Sequence, residues 1–199
     1  MRRWIKMIIG VDIDQVIAGT DNFLRNLLER EFDRKFSREM VTMYDYEKCF
    51  VFNHKERDYF RKIFTSQKFW SEIPPIKGAK KILDFIARKN KIIIVTNRSQ
   101  KFLKELPDIT LEWLERHQIP FDDIIFGDNG TKYEAIRKKG YGITYFIEDN
   151  IEEALGLAKN GVKVLLLDYP WNQTKRNQNI IRVKNWQEIA KILEAKEWL

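Results

Sequence analysis

The sequence predicts an α/β fold built on a parallel β-sheet, and three observations carry that expectation. Short apolar runs, the first of them Met7-Ile8-Ile9-Gly10-Val11, have the length and β-branched content of strands buried on both faces. These runs alternate with amphipathic stretches of helical period, the pattern of right-handed β-α-β crossovers. Four of five runs are followed closely by reactive side chains, as expected where ligands bind beyond the carboxyl ends of parallel strands.

Taken in order, the first strand stops at two carboxylates one residue apart, Asp12 and Asp14. Alternation along extended chain lets both point the same way while Ile13 packs elsewhere. Acids so close repel unless a cation or a shared proton lies between them. Taken alone, a plain Asp-rich turn explains the stretch equally well. Val16 to Thr20 reads as a small-residue turn. Thr20, Asp21 and Asn22 then offer N-caps to a helix with Phe23, Leu24, Leu27, Leu28 and Phe32 on one side. From Phe36 to Thr65 no strand-like run occurs, and aromatics recur through charged sequence. Gly19 to about Ile73 is therefore expected to form a compact helical insertion, closed by Pro74-Pro75 and Gly78.

The alternation then resumes. A helix is expected over Ala79–Lys89, carrying Ile82, Leu83, Phe85 and Ile86, then a strand at Ile92–Val95 ending in Thr96-Asn97-Arg98. A helix with Leu111, Leu114 and Trp113 leads to a short strand, Ile124–Phe126, ending at Gly127-Asp128. Thr131 and Glu134 form a capping box that puts Lys132 in the first turn of the next helix. Thr144–Ile147 is a fourth strand ending at Glu148-Asp149, and Asn150 with Glu153 caps a helix that stops at Gly161. Val164–Leu167 is a fifth strand, followed by Asp168-Tyr169-Pro170-Trp171-Asn172. Ile180–Val183 reads as a short edge strand, and Trp186, Ile189, Ala190 and Leu193 mark a closing helix.

A chain of 199 residues holds one well-buried core and a modest insertion. No apolar stretch approaches the length of a membrane span. The opening Met1–Lys6 imitates a secretory leader, but the apolar run after it is short and ends in acids. A single cysteine, Cys49, excludes an internal disulfide framework and suits a reducing cytoplasm. With His54 and His117 in polar helical settings, Cys49 reads as semi-buried filler rather than a nucleophile. The net charge of +7 favours an anionic partner without naming one. The basic residues are scattered, with Arg137-Lys138-Lys139 the longest cluster, which favours a solvated face over a nucleic-acid tract.

Asp12, Asp14, Thr96, Lys132, Glu148 and Asp149 gather past the strand ends. Singly, each has a bland explanation: Thr96 as a turn former, Lys132 as a solvated first-turn residue, Glu148-Asp149 as acids favoured by a helix dipole. Together their chemistry is coherent. Acidic oxygen ligands without a His or Cys cluster suit Mg²⁺. One carboxylate can attack phosphorus while a second moves the proton, and Thr and Lys can hold phosphoryl oxygens.

In this order the residues resemble the haloacid-dehalogenase (HAD) superfamily of aspartate-nucleophile phosphatases. The pattern is Asp12-Ile13-Asp14-Gln15-Val16 after the first strand, Thr96 after the second, Lys132 at a later helix start and Glu148-Asp149 after the fourth. A response-regulator receiver uses similar residue types in a different order. The small helical insertion, Phe69-Trp70 through Gly78-Ala79, Val95-Thr96-Asn97-Arg98 and Ile147-Glu148-Asp149-Asn150 look most like the 5'(3')-deoxyribonucleotidase family and its bacterial relatives. The animal enzymes carry two Asp where this chain has Glu148-Asp149. The resemblance implies a HAD-like three-layer core from residues 1–18 and 75–199, with residues 19–74 as a small helical cap. It implies Asp12 as nucleophile, Asp14 as general acid and base, and Mg²⁺ held by Asp12, the Asp14 main-chain carbonyl and Asp149, with Glu148 as helper. Thr96, the backbone around Asn97, and Lys132 would hold the phosphoryl group. The expected substrate is a small phosphorylated molecule, a nucleotide above all. A polynucleotide end is the runner-up, and a non-catalytic phosphate-binding protein is the reading from another class. Phe69, Trp70 or Tyr44 would either stack on a base or simply pack the cap.

Overall fold

The structure, a computed structural model, describes residues 7–127, 130–173 and 177–195; Met1–Lys6 and Asp128 lie outside them. The strands are β1 (Ile8–Val11), β2 (Lys91–Thr96), β3 (Asp123–Phe126), β4 (Tyr145–Glu148), β5 (Lys163–Leu167) and β6 (Ile180–Val183). They form a parallel sheet in the order β3-β2-β1-β4-β5-β6. β1 is central, and the strand order reverses on passing from it to β4, which opens a crevice at the carboxyl ends of those two strands.

Alternate residues of each strand feed opposite faces. Ile9, Val11, Ile92, Ile94, Tyr145, Ile147, Leu165 and Leu167 pack under α5 (Ala79–Ile86), α6 (Leu106–Arg116) and α9 (Trp186–Ala195). Ile93, Val95, Phe146, Val164 and Leu166 pack under α7 (Lys132–Lys138) and α8 (Ile151–Lys159). The result is the expected three-layer α/β architecture. Gly10 is required where it stands: a Cβ there would lie 2.3 Å from Cδ2 of Phe146 on the neighbouring strand.

Between β1 and α5 the chain forms α1 (Thr20–Phe32), a 3-10 turn at Arg38–Met40, α2 (Tyr46–Phe50), α3 (His54–Phe64) and α4 (Gln67–Glu72). Rings replace aliphatic side chains at its centre, where Phe36, Phe50 and Phe52 meet with centroids 5.0 to 6.0 Å apart. The insertion enters and leaves side by side. Gly19 N–H donates to Pro74 O at 2.9 Å, and Ile76 N–H donates to Ile17 O at 2.6 Å. Cys49 is half-buried there, as expected. Arg137, Lys138 and Lys139 are exposed at the end of α7, where cations oppose the helix dipole.

Several local expectations are corrected. Thr20 and Asp21 do not cap α1. They lie inside it after Gly19, Thr20 turned towards Asp14 and Asp21 buried against Arg25 at 3.0 Å. The helix expected to reach Lys89 ends at Ile86, and within it Phe85 is exposed. In α6 the inward residues are Trp113 and Leu114, while Leu111 faces solvent. Asn150 caps α8 alone, because Glu153 reaches across to the Lys132 backbone N–H instead of back to Asn150. Its place on the Asn150 N–H is taken by Glu148.

Candidate active site

The loop after β1 is held in a shape the residues alone would not choose. Ile13 O accepts from the backbone N–H groups of Val16, Ile17 and Ala18, and Gln15 sits at φ 57°, in the left-handed region. Two distant side chains pin it: Tyr169 O–H donates to Gln15 O at 2.9 Å and Trp186 Nε1–H to Val16 O at 2.8 Å. The curl presents Asp12 and Asp14 to one cavity.

Asp12 is nearly buried, and its Oδ1 lies 2.8 Å from Lys132 Nζ. The same ammonium meets Glu148 Oε2 at 2.7 Å. Lys132 reaches this point because the Thr131–Glu134 capping box forms as expected and Glu153 fixes the Lys132 N–H at 3.0 Å. Glu148 is fully buried, and its other oxygen accepts from the N–H groups of Asp149 (2.9 Å) and Asn150 (3.0 Å). Asp149 Oδ2 accepts from Trp171 Nε1–H at 2.9 Å. Its carbonyl accepts from Tyr44 O–H at 2.6 Å and Asn172 Nδ2 at 2.7 Å. Trp171 is buried as a wall of the site.

Asp14 has a different environment. Arg98 grips it with both ends of the guanidinium fork, Nε to Oδ2 at 2.9 Å and Nη2 to Oδ1 at 2.8 Å, and Thr20 O–H donates to Oδ1. Burial alone would raise the Asp14 carboxyl; Arg98 outweighs it and holds the group below its ordinary value. Asp12 goes the other way. Burial, helped by Glu148 and Asp14, overrides Lys132 and pushes it up to about 7. Asp149 is raised well above its ordinary value by burial and by the charges of Glu148 and Asp12. Burial would lower Lys132, but its two carboxylate partners hold it above the ordinary lysine value.

The fit to a cation follows from these contacts. Carboxylate oxygens of Asp12, Glu148 and Asp149 lie within 4.8 Å of one another. Four carboxylates (Asp12, Asp14, Glu148, Asp149) meet two cations (Lys132, Arg98), a local balance of −2. Glu148 is satisfied by Lys132 and two N–H groups, whereas Asp12 and Asp149 carry the raised values. A hard divalent cation at all-oxygen ligands suits that pair.

The acids floor a cavity of about 210 Å³ roofed from the insertion by Val41, Met43, Tyr44, Tyr46, Phe64 and Trp70. Among the sequence-predicted residues, Asp12, Asp14, Asn97, Lys132 and Asp149 line it together. Thr96 is fully buried beside it, its hydroxyl accepting from Arg98 N–H at 3.3 Å. Of the candidate stacking residues, Tyr44 and Trp70 reach the cavity, while Phe69 is buried against Phe23 with centroids 5.6 Å apart. Sequence reasoning missed Arg98 and Thr20 as partners of Asp14. The Val95-Thr96-Asn97-Arg98 stretch was the available signal for Arg98.

A central β1 that runs out at Asp12, with Lys132 and an acidic pair converging on that carboxylate, is the arrangement of a HAD-type phosphoric monoester hydrolase. The fold agrees with the solved structure of YfnB of Bacillus subtilis, a HAD-type protein bound to magnesium, at TM-score 0.58 and 14% identity over 96% of this chain and 99% of that one. Residues 6–198 match the model of the family described as 5' nucleotidase, deoxy (pyrimidine), cytosolic type C protein, and the chain belongs to that family. Among its relatives, the YqfW protein of Bacillus subtilis is 33% identical over 96% of this chain and 92% of its own length. A nucleotidase of Clostridium acetobutylicum is 30% identical over 94% and 93%.

Proposed function

We propose that the protein is a Mg²⁺-dependent nucleotidase that hydrolyses nucleoside monophosphates through an aspartyl-phosphate at Asp12. The observation that carries this reading is the pairing of Asp12 with Lys132 on the floor of a cavity whose roof is aromatic. Family membership and relatives named as nucleotidases support it. Residues 19–74 act as the cap on a core made of residues 1–18 and 75–199.

An Asp12 carboxylate oxygen attacks phosphorus, the ester P–O bond breaks, and Asp14 gives its proton to the departing alkoxide. Asp14, now a carboxylate, takes a proton from the water that attacks the phosphorylated Asp12. The acyl–phosphate P–O bond breaks, phosphate leaves, and Asp12 is restored. In the structure Arg98 grips the Asp14 carboxyl with both ends of its guanidinium fork. Lys132 and the backbone around Asn97 bear on the phosphoryl oxygens, and Thr96 shapes that turn. Mg²⁺ would be held by the Asp12 carboxylate, the Asp14 main-chain carbonyl and Asp149, and would neutralise phosphoryl charge. The aromatic roof offers flat faces to a base.

The test is phosphate release from 5' and 3' ribo- and deoxyribonucleotides, sugar phosphates and a 3'-phosphorylated oligonucleotide, with and without Mg²⁺. Mg²⁺-dependent release from mononucleotides, abolished by Asp12→Asn, is expected. Activity within tenfold of wild type in Asp12→Asn would remove Asp12 from the nucleophile role. Release from the oligonucleotide alone would move the substrate to nucleic-acid ends.

A further inference from the structure

We propose that Arg98 is a positioning residue for the reaction, fixing the Asp14 carboxylate and setting its place against the helical insertion. The inference rests on the reading of Asp14 as the acid and base of a phosphatase.

Other arginines of this chain show what structural service looks like. Arg25 reaches Phe36 O at 3.1 Å, Arg34 reaches Phe50 O at 2.8 Å and Arg116 reaches Ser71 O at 2.9 Å, each tying backbone of separate segments together. Arg98 differs. It is 3% exposed, yet among the described residues every side-chain hydrogen bond it makes ends on Asp14, and its buried Nη1 has no acceptor. A buried guanidinium is costly to hold for one partner that is itself one-third exposed to the cavity. The site gains a carboxylate whose plane is set at two points, which a single ammonium contact does not achieve.

The guanidinium is in turn held by rings. It lies 5.1 Å from the centroid of Trp70 in α4 and 5.8 Å from that of Trp113 in α6. Both indoles are anchored to insertion backbone, Trp70 Nε1–H to Phe64 O at 2.9 Å and Trp113 Nε1–H to Ile73 O at 2.7 Å. Trp70 also roofs the cavity. The position of Asp14 is thus indexed to the element that covers the substrate.

The experiment is a double-mutant cycle of Arg98→Ala with Asp14→Asn, measured as kcat and KM on a mononucleotide and on p-nitrophenyl phosphate. Arg98→Ala is expected to lower kcat about 100-fold with KM changed less than about threefold, the loss typical of a misplaced reacting group. In the Asp14→Asn background the same change should cost less than about threefold, since its partner is already disabled. Arg98→Lys, which keeps charge and most of the volume, should recover less than a tenth of the lost kcat. Added guanidinium at non-denaturing concentration should recover part of it in Arg98→Ala alone. Thermal unfolding of each variant separates misfolding from mispositioning, and Arg98→Lys carries the test if Arg98→Ala does not fold. An equal loss in both backgrounds, or full activity in Arg98→Lys, overturns the proposal. Wild-type activity on the aryl phosphate without activity on nucleotides would overturn the nucleotide assignment and leave the Arg98 cycle readable. A wild type inert towards both overturns both.

Discussion

Replacing Lys132 by Met keeps the stem and removes the one ammonium that lies between two buried carboxylates, 2.8 Å from Asp12 and 2.7 Å from Glu148. The local balance falls from −2 to −3. Breaking a buried ion pair by deleting one partner costs about 3–5 kcal/mol, because the remaining charge stays desolvated. In a domain of 199 residues each kcal/mol moves Tm by about 2–4 °C, so a drop of about 6–20 °C is expected in EDTA at pH 8. The loss must shrink in acid. Asp12 has a folded value of about 7, above its unfolded value, so at pH 5 it is largely protonated and its pair with Lys132 is undeveloped. Without Lys132 the Asp12 value rises further, and the variant loses stability over a window reaching to higher pH. Thermal or urea unfolding of both proteins from pH 5 to 8 measures this. A Tm difference under about 2 °C at pH 8, or one that grows towards pH 5, refutes the reasoning.

Metal and pH should be linked in the wild type. The stability that goes with the raised Asp12 and Asp149 values is fully present below their unfolded values near pH 4 and is lost as pH rises through the folded ones. Mg²⁺ competes for the deprotonated forms, so it should raise Tm more at pH 8 than at pH 5.5 in a calorimetric comparison. Trp171→Phe removes the N–H that orients Asp149 at 2.9 Å; by analogy with other groups that orient metal ligands, Mg²⁺ or Mn²⁺ affinity measured by titration calorimetry should fall about tenfold. Gly10→Ala forces a Cβ to within 2.3 Å of the fully buried Phe146 and should cost about 1–3 kcal/mol in urea unfolding, part of it recovered by Phe146→Leu.

The parts of this molecule legible in its sequence are those that repeat a local rule. β1, β2, β4 and β5 announce themselves as apolar runs, and the edge strand β6 and the helical insertion were also expected. Thr131–Glu134 is a capping box readable from four residues, and it correctly places Lys132. Asp12, Asp14 and Glu148-Asp149 stand out as acids clustered at the ends of buried apolar runs. What stayed hidden depends on where a long side chain turns. Arg98 is one more arginine after a strand until Trp70 and Trp113, 28 residues before it and 15 after, close on its guanidinium. Thr20 satisfies every rule for an N-cap and serves Asp14 instead. Glu153 occupies the capping-box position for Asn150 but accepts from the Lys132 N–H instead. Leu111 and Trp113 both stand in the expected helix, and only packing against the insertion shows which of them is inside.

The two bonds that pin the curl after β1 join residues 154 and 170 positions apart, from Tyr169 and Trp186 back to Gln15 and Val16. During synthesis the Asp12 loop emerges well before the phenol and indole that hold its shape. A nascent chain that has built β1 to β4 therefore holds Asp12, Asp14, Lys132 and Glu148 and lacks both of these contacts. Both contacts span most of the described chain, so they can form only when its two ends have come together. The curl that presents Asp12 and Asp14 to one cavity is therefore held by residues from the far end of the chain.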